Sequence, residues 1–407
     1  MKNQENNKLL VAQLGARRHY AIPRILYQGG VLENFYTDIC AVKGLPKYLR
    51  LIPNRLQTKS IARLTGRIPE GVPSDVITAF SSFGFEYAQR IRKAHSSSEL
   101  TQTILWAGKT FGKLILNQGR RGTGVYTFNN AGLEILQAAK KQGLITVMDQ
   151  TIAPKQLQHH LMLEEQELHP DWEEPIPYDK YRSEHIEREK QEWEQANLIL
   201  CGSEFVRDGI KKCGGPVERC AIVPYGVDTR FQPSLKKPHQ EPLRILTVGS
   251  VELRKGTPYV LEAAKRLKGK ATFRLVGPIH VSASAISALR EHLELVGQVP
   301  RSQIKAHYDW ADVFLLPSIC EGSAAATYEA LASGLPVITT PNSGSIVRDG
   351  IEGYIVPIRD VDKIVEAIEL LISQPEILHS TIKSAQKRTT YGSFNSYSER
   401  LLNVLNN

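Results

Sequence analysis

The chain has 407 residues and a net charge of +9, with 42% hydrophobic and 23% charged residues. This composition excludes a disordered or collagen-like protein, and the length favours two domains with a cleft between them. The positive charge favours anionic partners such as nucleotide phosphates, lipid headgroups or nucleic acid without choosing among them.

Hydropathy and cysteine spacing both predict a cytoplasmic protein. The N-terminal segment MKNQENNKLL lacks the apolar core of a signal peptide, and no run of about 18 apolar residues predicts a membrane span. The cysteines are odd in number, scattered and without a CxxC pair, which argues against a disulfide framework or a zinc site. We expect reduced thiols.

Short β-branched runs followed by helical stretches predict βαβ units and parallel sheets in both halves of the chain. In the first half the predicted strands span residues 9–14, 125–128, 144–148, 198–202 and 221–226. The loop LGARRHY follows the first strand and holds four candidate site residues: Gly15, Arg17, Arg18 and His19. If the loop faces a cleft, an arginine there can bind a phosphate or a charged acceptor; an ordinary basic loop is the alternative.

Every charged residue in the segment from Lys43 to Arg67 is basic, and apolar residues are interspersed with the cations. This mixture is typical of a surface that contacts an anionic membrane leaflet. A solvated basic face above ordinary core contacts explains it equally well.

Two charged segments follow the third predicted strand. In residues 156–169, His160 with Glu164 or Glu165 can approach a metal ion on a helix, but a surface or cleft-lining helix is the better interpretation. In residues 179–196 apolar residues are few, so we predict a mostly solvated helix.

A linker divides the two halves at PSLKKPHQEP (233–242), which has three prolines and no apolar periodicity. Beyond it the predicted strands span residues 244–249, 272–277, 312–318, 336–340 and 353–357. No strand is followed by GxGxxG, and AGKT has Thr103 where a Walker loop needs glycine. Hydride transfer and phosphoryl transfer by a P-loop are therefore not indicated.

The segment EGSAAATYEALASG (321–334) predicts a loop and helix after a buried strand. Ser323 can cap this helix and Gly334 can end it, so its N-terminus opens at the carboxyl end of a parallel strand. Free N–H groups and the positive end of the helix dipole make such a place an anion site.

Two carboxylates flank this predicted anion site, Glu321 before the helix and Glu329 about two turns along it. Carboxylates repel phosphate, so they suit a ligand with hydroxyls at both ends of a diphosphate, as in a nucleotide sugar. Two surface acids with this spacing also occur by chance.

Two further segments raise the specificity of the pattern. In VGSVELRKG, Arg254 and Lys255 can neutralise a diphosphate, while Gly249 allows close approach of a ligand to the backbone. In VGQVPRSQI, the backbone of the turn around Val299 can form hydrogen bonds with the edge of a nucleotide base.

Residues 195–375 resemble the retaining GT-B glycosyltransferases of family 4, also called group 1. Five ordered segments carry the resemblance: CGSEFVRDGI, IVPYGVDTRF, VGSVELRKG, EGSAAATYEALASGLPVI and VRDGIEGYIVP. The resemblance implies an α/β GT-B fold, in which two Rossmann-like parallel-sheet domains face each other across a cleft. The implied domains are an N-terminal acceptor domain (1–235) and a C-terminal nucleotide-sugar domain (241–385), with a C-terminal helix within 386–407 returning to the first.

Site roles carry over from the family by position. Glu329 would bind the ribose hydroxyls, Glu321 the hydroxyls of the donor sugar, and Lys255 the diphosphate. The other donor-binding candidates are Gly322, Ser323, Ala324, Gly249, Ser250 and Val299. The implied reaction moves a hexose from a nucleoside-diphosphate sugar to a hydroxyl of a glycan, glycolipid or small molecule, with retention and without a metal or cofactor. Fixed positive groups would stabilise the departing nucleoside diphosphate.

The chain departs from the family pattern at two positions. Ser250 stands where members often carry arginine, so we expect Arg254 to supply the missing charge. Met148 stands where many members carry a histidine, and Asp149 beside it is the candidate catalytic substitute.

These departures keep other interpretations open. One is a GT-B-like protein that binds a nucleotide sugar or an anionic polymer without transferring sugar; another is an epimerase or phosphorylase on the same fold. Lipid-linked sugar, polysaccharide and small metabolite all remain as acceptors. We expect no nucleic-acid partner, and a cytoplasmic location with peripheral contact to the membrane through Lys43–Arg67.

Overall fold

The first half of the chain folds around a seven-stranded parallel sheet. The computed structural model describes residues 8–53, 56–119, 122–227 and 242–406. The strands are β1 (Leu9–Gln13), β2 (Leu32–Thr37), β3 (Ile77–Ala79), β4 (Gly124–Phe128), β5 (Ile145–Gln150), β6 (Leu198–Cys201) and β7 (Cys220–Ile222). Their order in the sheet is β3-β2-β1-β4-β5-β6-β7.

The second half folds around a six-stranded parallel sheet. Its strands are β8 (Leu243–Val248), β9 (Ala271–Val276), β10 (Glu294–Gly297), β11 (Val313–Leu316), β12 (Val337–Thr339) and β13 (Gly353–Ile355). Their order is β10-β9-β8-β11-β12-β13. In each sheet the strand order reverses beside the first strand, where α/β folds bind ligands.

Helices connect the strands in both halves. The helices before residue 228 are α1 (Ala21–Gln28), α2 (Gly44–Leu49), α3 (Lys59–Thr65), α4 (Ser81–Lys93), α5 (Ser97–Asn117), α6 (Leu133–Lys140), α7 (Lys155–Leu168), α8 (Arg182–Gln195) and α9 (Glu204–Lys212). Those after residue 241 are α10 (Thr257–Arg266), α11 (Ala283–His292), α12 (Ile304–Trp310), α13 (Ala325–Ala332), α14 (Val361–Ser373), α15 (Pro375–Arg388) and α16 (Phe394–Asn406).

Both faces of the first sheet are covered, as the apolar run of β1 requires. Leu9 and Val11 of β1 face one buried cluster, and Leu10 and Ala12 face another on the opposite side. Successive side chains of a strand point to opposite faces, so a strand buried on both sides reads as a continuous apolar run.

The predicted pair of parallel-sheet α/β domains is confirmed, and each predicted strand coincides with an observed one. Three observed strands were not predicted: β2, β3 and β10. Strand β2 has the sequence LENFYT, whose polar residues interrupt the apolar pattern, and the other two are only three and four residues long. Residues 233–241 of the predicted linker lie outside the described residues.

Two helices pack against the domain that their place in the sequence does not suggest. Leu161 of α7, and Ala153 just before that helix, join the core of the second domain. Conversely, Tyr397 and Leu401 of α16 join the core of the first domain. The two domains thus exchange helices at their boundary.

The prediction of a mostly solvated α8 is wrong. Its charged side chains Glu189 and Glu192 are at most 1% exposed. The Glu192 carboxylate accepts the backbone N–H groups of Asn130 (2.8 Å) and Gly132 (3.0 Å), and Glu189 accepts that of Lys155 (2.8 Å). Buried polar groups that bind a loop backbone are stable, but an apolar periodicity cannot reveal them.

We expect the Glu192→Gln variant to gain stability relative to the wild type as pH rises. Burial raises the pKa of Glu192 to about 7. The folded state therefore keeps a proton that the unfolded chain releases near pH 4 to 5, and the stability from this group is lost as pH rises toward 7. Urea unfolding measures the difference in unfolding free energy between the variant and the wild type. Between pH 5 and pH 8 this difference should change by roughly 2 kcal/mol in favour of the variant. The same difference at both pH values would contradict this expectation; Glu194→Gln, at an exposed carboxylate of α8, is the matched control.

Candidate functional site

The carboxyl edge of the second sheet meets the first domain at the loop after β11. The backbone oxygen of Glu321 accepts the N–H of Ala153 at 3.3 Å, and the backbone oxygen of Gly322 accepts the hydroxyl of Ser203 at 2.5 Å. Both donors belong to the loops that follow strands of the first sheet. The cleft between the domains therefore ends at residues 321 and 322.

Two cations hold the Glu321 side chain. Arg254 Nη1 lies 2.7 Å from Glu321 Oε1, and Lys255 Nζ forms an ion pair with the same oxygen. Arg254 also binds Glu252 at 2.6 Å through its other nitrogen. Burial lowers the pKa of Arg254, but the two carboxylates outweigh that effect and the net shift is upward. The structure thus brings Glu321, Arg254 and Lys255 together as one charged cluster.

A cavity of about 430 Å³ adjoins this cluster. Its lining includes five of the predicted site residues: Gly249, Ser250, Arg254, Lys255 and Val299. A Cβ at Gly249 would lie 3.2 Å from Lys255 Cε, so a side chain there would push against the lysine. The volume is within the range of small-ligand sites.

Glu329 lies apart from that cluster, on α13. Tyr308 donates its hydroxyl to Glu329 Oε2 at 3.0 Å, and Arg301 Nη2 is 3.7 Å from Oε1. Burial, followed by the nearby carboxylate, raises the pKa of the Tyr308 hydroxyl. Sequence reasoning missed Tyr308 and Arg301, because both reach Glu329 from α12 and the preceding turn, far along the chain.

The predicted helix cap at Ser323 is wrong. Helix α13 begins at Ala325, and Ala324 precedes it without a side-chain cap. The Ser323 hydroxyl instead binds the Tyr328 hydroxyl at 2.6 Å and donates to the Gly344 oxygen at 2.9 Å. The Ala324 N–H donates to the Ser343 oxygen at 2.9 Å. The backbone amide of Ala324, a predicted donor-binding residue, is therefore used inside the protein.

The loop at Gly322 fits closely against both domains. An added Cβ at Gly322 would lie 2.0 Å from the Thr151 oxygen, and one at Gly344 would lie 2.3 Å from the Gly322 oxygen. Gly344 also has a φ of 63°, which L side chains rarely adopt. These two glycines permit the close approach that shapes the end of the cleft.

We expect Gly344→Ala to destabilise the protein much more than Gly350→Ala. Both glycines have positive φ, 63° and 70°, but the alanine at 350 would meet no atom within 4 Å. Gly350→Ala should therefore cost only about 1 kcal/mol, whereas Gly344→Ala should cost roughly 3 kcal/mol or more because the loop must also move. Urea unfolding compares them; equal losses would show that the close packing at Gly344 is unimportant.

Arg18 and Asp149 form an ion pair in the first domain, with the carboxylate buried and the guanidinium partly exposed. The guanidinium donates to both carboxylate oxygens at 3.3 and 3.1 Å and to the Tyr397 hydroxyl of α16 at 2.8 Å. Tyr126 donates its hydroxyl to the same carboxylate at 2.8 Å, and Asp149 is only 2% exposed. Asp149, predicted as a catalytic substitute, has the surroundings of a positioning residue for Arg18.

The rest of the LGARRHY loop is strained, with Arg18, His19 and Tyr20 all at positive φ. Such backbone costs roughly 1–2 kcal/mol for each residue and persists only where the surroundings hold it. Arg17 Nη1 donates to Thr151 Oγ1 at 3.0 Å, at the end of the cleft, whereas His19 is exposed. The predicted phosphate loop therefore brings Arg17 to the cleft and turns Arg18 inward.

Residues 159–169 do not form a metal centre. His160 pairs with Glu164 at 3.0 Å on the surface of α7. Within the described ranges, no three His, Cys, Asp or Glu side chains are grouped so that they could hold a metal ion.

The site lies in a part of the chain that has known relatives. Residues 228–388 match the family model of the glycosyl transferases group 1. WcaL of Salmonella typhimurium, a candidate colanic acid biosynthesis glycosyltransferase, is 30% identical over 231 residues, which are 53% of this chain and 56% of WcaL. The chain spans about half the length of the relatives it matches.

Solved structures with the same arrangement of domains show the fold. Sucrose-phosphate synthase from Thermosynechococcus elongatus has a TM-score of 0.67 at 13% identity, covering 98% of each chain. HepE of Anabaena, in complex with UDP-glucose, has a TM-score of 0.61 at 12% identity, covering 98% of this chain and 99% of HepE. The predicted GT-B fold is confirmed.

Proposed function

We propose that this chain, whose residues 228–388 belong to the group 1 glycosyl transferases, moves a hexose from a nucleoside-diphosphate sugar to an acceptor hydroxyl with retention. The observation that carries the proposal is the cluster of Glu321, Arg254 and Lys255 beside a cavity at the carboxyl edge of the second sheet. The UDP-glucose bound by HepE, which shares this fold, supports a nucleotide sugar as the donor.

In this reaction the two cations would stabilise the leaving diphosphate. Arg254 and Lys255 are now paired with the carboxylates of Glu321 and Glu252. A donor diphosphate in the adjoining cavity would take over as their counter-charge and leave the Glu321 carboxylate to accept hydroxyls of the sugar. Fixed positive groups need no reorganisation when charge develops on the leaving group, which lowers the barrier without a metal.

Glu329 would bind the other end of the donor. Its carboxylate is 13% exposed and is oriented by Tyr308. A carboxylate held in this way accepts two vicinal hydroxyls, such as those of ribose. Val299 and Ser250, which line the cavity beside Arg254 and Lys255, would then lie near the nucleoside and the phosphates.

A donor screen tests the proposal. The full chain is incubated with a panel of nucleoside-diphosphate sugars and a glycolipid extract, and mass spectrometry detects nucleoside diphosphate and glycosylated product. We expect one donor to be used well above the others. Tight binding of a donor with no release of nucleoside diphosphate would favour the second candidate, a binding protein without transferase activity, which the burial of Asp149 supports.

We further propose that the segment Lys43–Arg67 contacts an anionic membrane at the cytoplasmic face. Leu51 is 81% exposed, and three other large apolar side chains are 58–66% exposed: Leu45, Tyr48 and Leu56. Residues 54 and 55 of this segment lie outside the described residues. Among the helices that the structure describes, none has the length and apolar character to cross a bilayer.

Vesicle flotation tests this contact. We expect the protein to float with vesicles that contain anionic lipid, less at high salt, and less after Tyr48→Ser with Leu51→Ser. Tyr178→Ser is the matched control, because Tyr178 is 82% exposed outside this segment. If the protein does not float with anionic vesicles even at low salt, the proposed membrane contact is wrong.

A further inference from the structure

The first domain contains a second, larger cavity of about 750 Å³ that the donor does not need. It lies between the loop after β1 and helices α3, α4 and α5. Four of its lining residues are arginines, and one is acidic: Arg17, Arg63, Arg67 and Arg92 with Asp38. The cavity is therefore strongly positive.

The single acid neutralises only one of these arginines. Asp38 Oδ2 lies 3.1 Å from Arg67 Nη1, and its other oxygen accepts the N–H of Gly15 at 3.0 Å. In the part of the chain that the structure describes, no carboxylate forms an ion pair with Arg17, Arg63 or Arg92. Burial lowers the pKa of Arg17, and the opposing effect of the Asp149 carboxylate does not cancel that shift. A cavity with this surplus complements an anion with more than one charge.

Apolar side chains form much of the remaining wall of the cavity, beside one tyrosine and two asparagines. Leu64, Phe85, Ile91 and Ile104 line it together with the arginines. An inorganic anion or a free sugar phosphate would leave this apolar surface in contact with water. A ligand that joins a phosphate to an apolar group satisfies both parts of the wall.

The cavity lies close to the end of the cleft. Arg17 lines it and also donates to Thr151 Oγ1 at 3.0 Å. The backbone oxygen of Thr151 in turn lies against Gly322, where a Cβ would come within 2.0 Å. Arg17 and Thr151 therefore link the wall of the cavity to the loop that carries Glu321.

We propose that this cavity binds an acceptor that carries a phosphate or diphosphate joined to an apolar group, with the anion on Arg17, Arg63 and Arg92. The role of this ligand as an acceptor rests on the proposed transferase function, whereas its binding in the cavity does not. Helix α3 borders the cavity through Arg63 and Leu64, and the exposed apolar side chains of the segment Lys43–Arg67 precede that helix in the chain. A lipid-linked phosphate could enter from that side.

Calorimetric titration of the full chain with geranyl diphosphate, inorganic pyrophosphate and geraniol tests this site. We expect geranyl diphosphate to bind most tightly, and Arg63→Ala with Arg92→Ala to weaken it at least about tenfold. Both arginines are exposed at the cavity, so the double variant should fold. Lys93→Ala, an exposed cation of α4 outside the cavity, is the matched control and should bind like the wild type.

Other outcomes would contradict the proposal in distinguishable ways. Equal binding of pyrophosphate and geranyl diphosphate would overturn the apolar part, and unchanged binding in the double arginine variant would overturn the site. Binding lost in Lys255→Ala but kept in the double variant would place the diphosphate in the donor cavity. Failure of the donor screen together with arginine-dependent binding would overturn the transferase function and leave this site standing.

Discussion

Glu321→Gln is expected to lower nucleoside-diphosphate release from the donor by about 100-fold, because it removes a charged acceptor of the sugar hydroxyls. The substitution also releases Arg254 and Lys255 from their carboxylate partner. Donor binding can then remain or even tighten while turnover falls. The measurement is the rate of nucleoside-diphosphate release at saturating donor, together with the dissociation constant of the donor.

Glu252→Gln is the matched control for this prediction. Glu252 binds the same arginine as Glu321, at 2.6 Å, but from the other side. If Glu321 acts on the donor sugar, Glu252→Gln should retain most of the activity. Equal losses in the two variants would instead mean that Glu321 only holds Arg254 in place. Similar unfolding temperatures for both variants would exclude a general loss of structure.

Arg18→Met is expected to lower the unfolding free energy by about 3–5 kcal/mol, because it leaves the Asp149 carboxylate buried without its cation. The change also removes the hydrogen bond from Arg18 to Tyr397 of α16 and the contact of the guanidinium with the Tyr225 ring. The strained backbone at residues 18 to 20 then loses the side chain that holds it. Urea unfolding followed by tryptophan fluorescence measures the loss.

The double variant Arg18→Met with Asp149→Leu separates a positioning role of Asp149 from a catalytic one. Replacing a buried ion pair by apolar residues is often neutral, so we expect the double variant to recover most of the stability lost in Arg18→Met. If the stability losses of the two single variants simply add in the double variant, Arg18 and Asp149 do not act as a pair. If Asp149 acts only through Arg18, Asp149→Asn should change stability more than the rate of donor hydrolysis at saturation.

The segment 321–334 folds largely as its sequence predicts, except at the start of its helix. The pattern around residues 321–334 predicted a strand, a loop and a helix ending at Gly334, and the structure has them. The pattern also assigned Ser323 to the helix cap, which is wrong, because the hydroxyl has a better partner in Tyr328. Local capping rules cannot weigh a competing contact that depends on how the helix is placed.

The packing of α7 against the second domain shows the same limit. Nothing in the sequence of α7 indicates that Leu161 packs into the second domain, because any amphipathic helix presents an apolar face without naming its partner. Likewise, the charged residues of α8 suggested a solvated helix, although Glu189 and Glu192 bind backbone groups inside the protein.

Local sequence patterns were sufficient to predict the two parallel sheets and the segments that hold Glu321, Glu329, Arg254 and Lys255, because strand and helix patterns depend on neighbours along the chain. The pairing of Arg254 and Lys255 with Glu321, and the burial of Asp149 beside Arg18, became visible only in the folded chain. Those outcomes depend on the packing of distant segments, which sets the distances and the burial that control the energy of each charge.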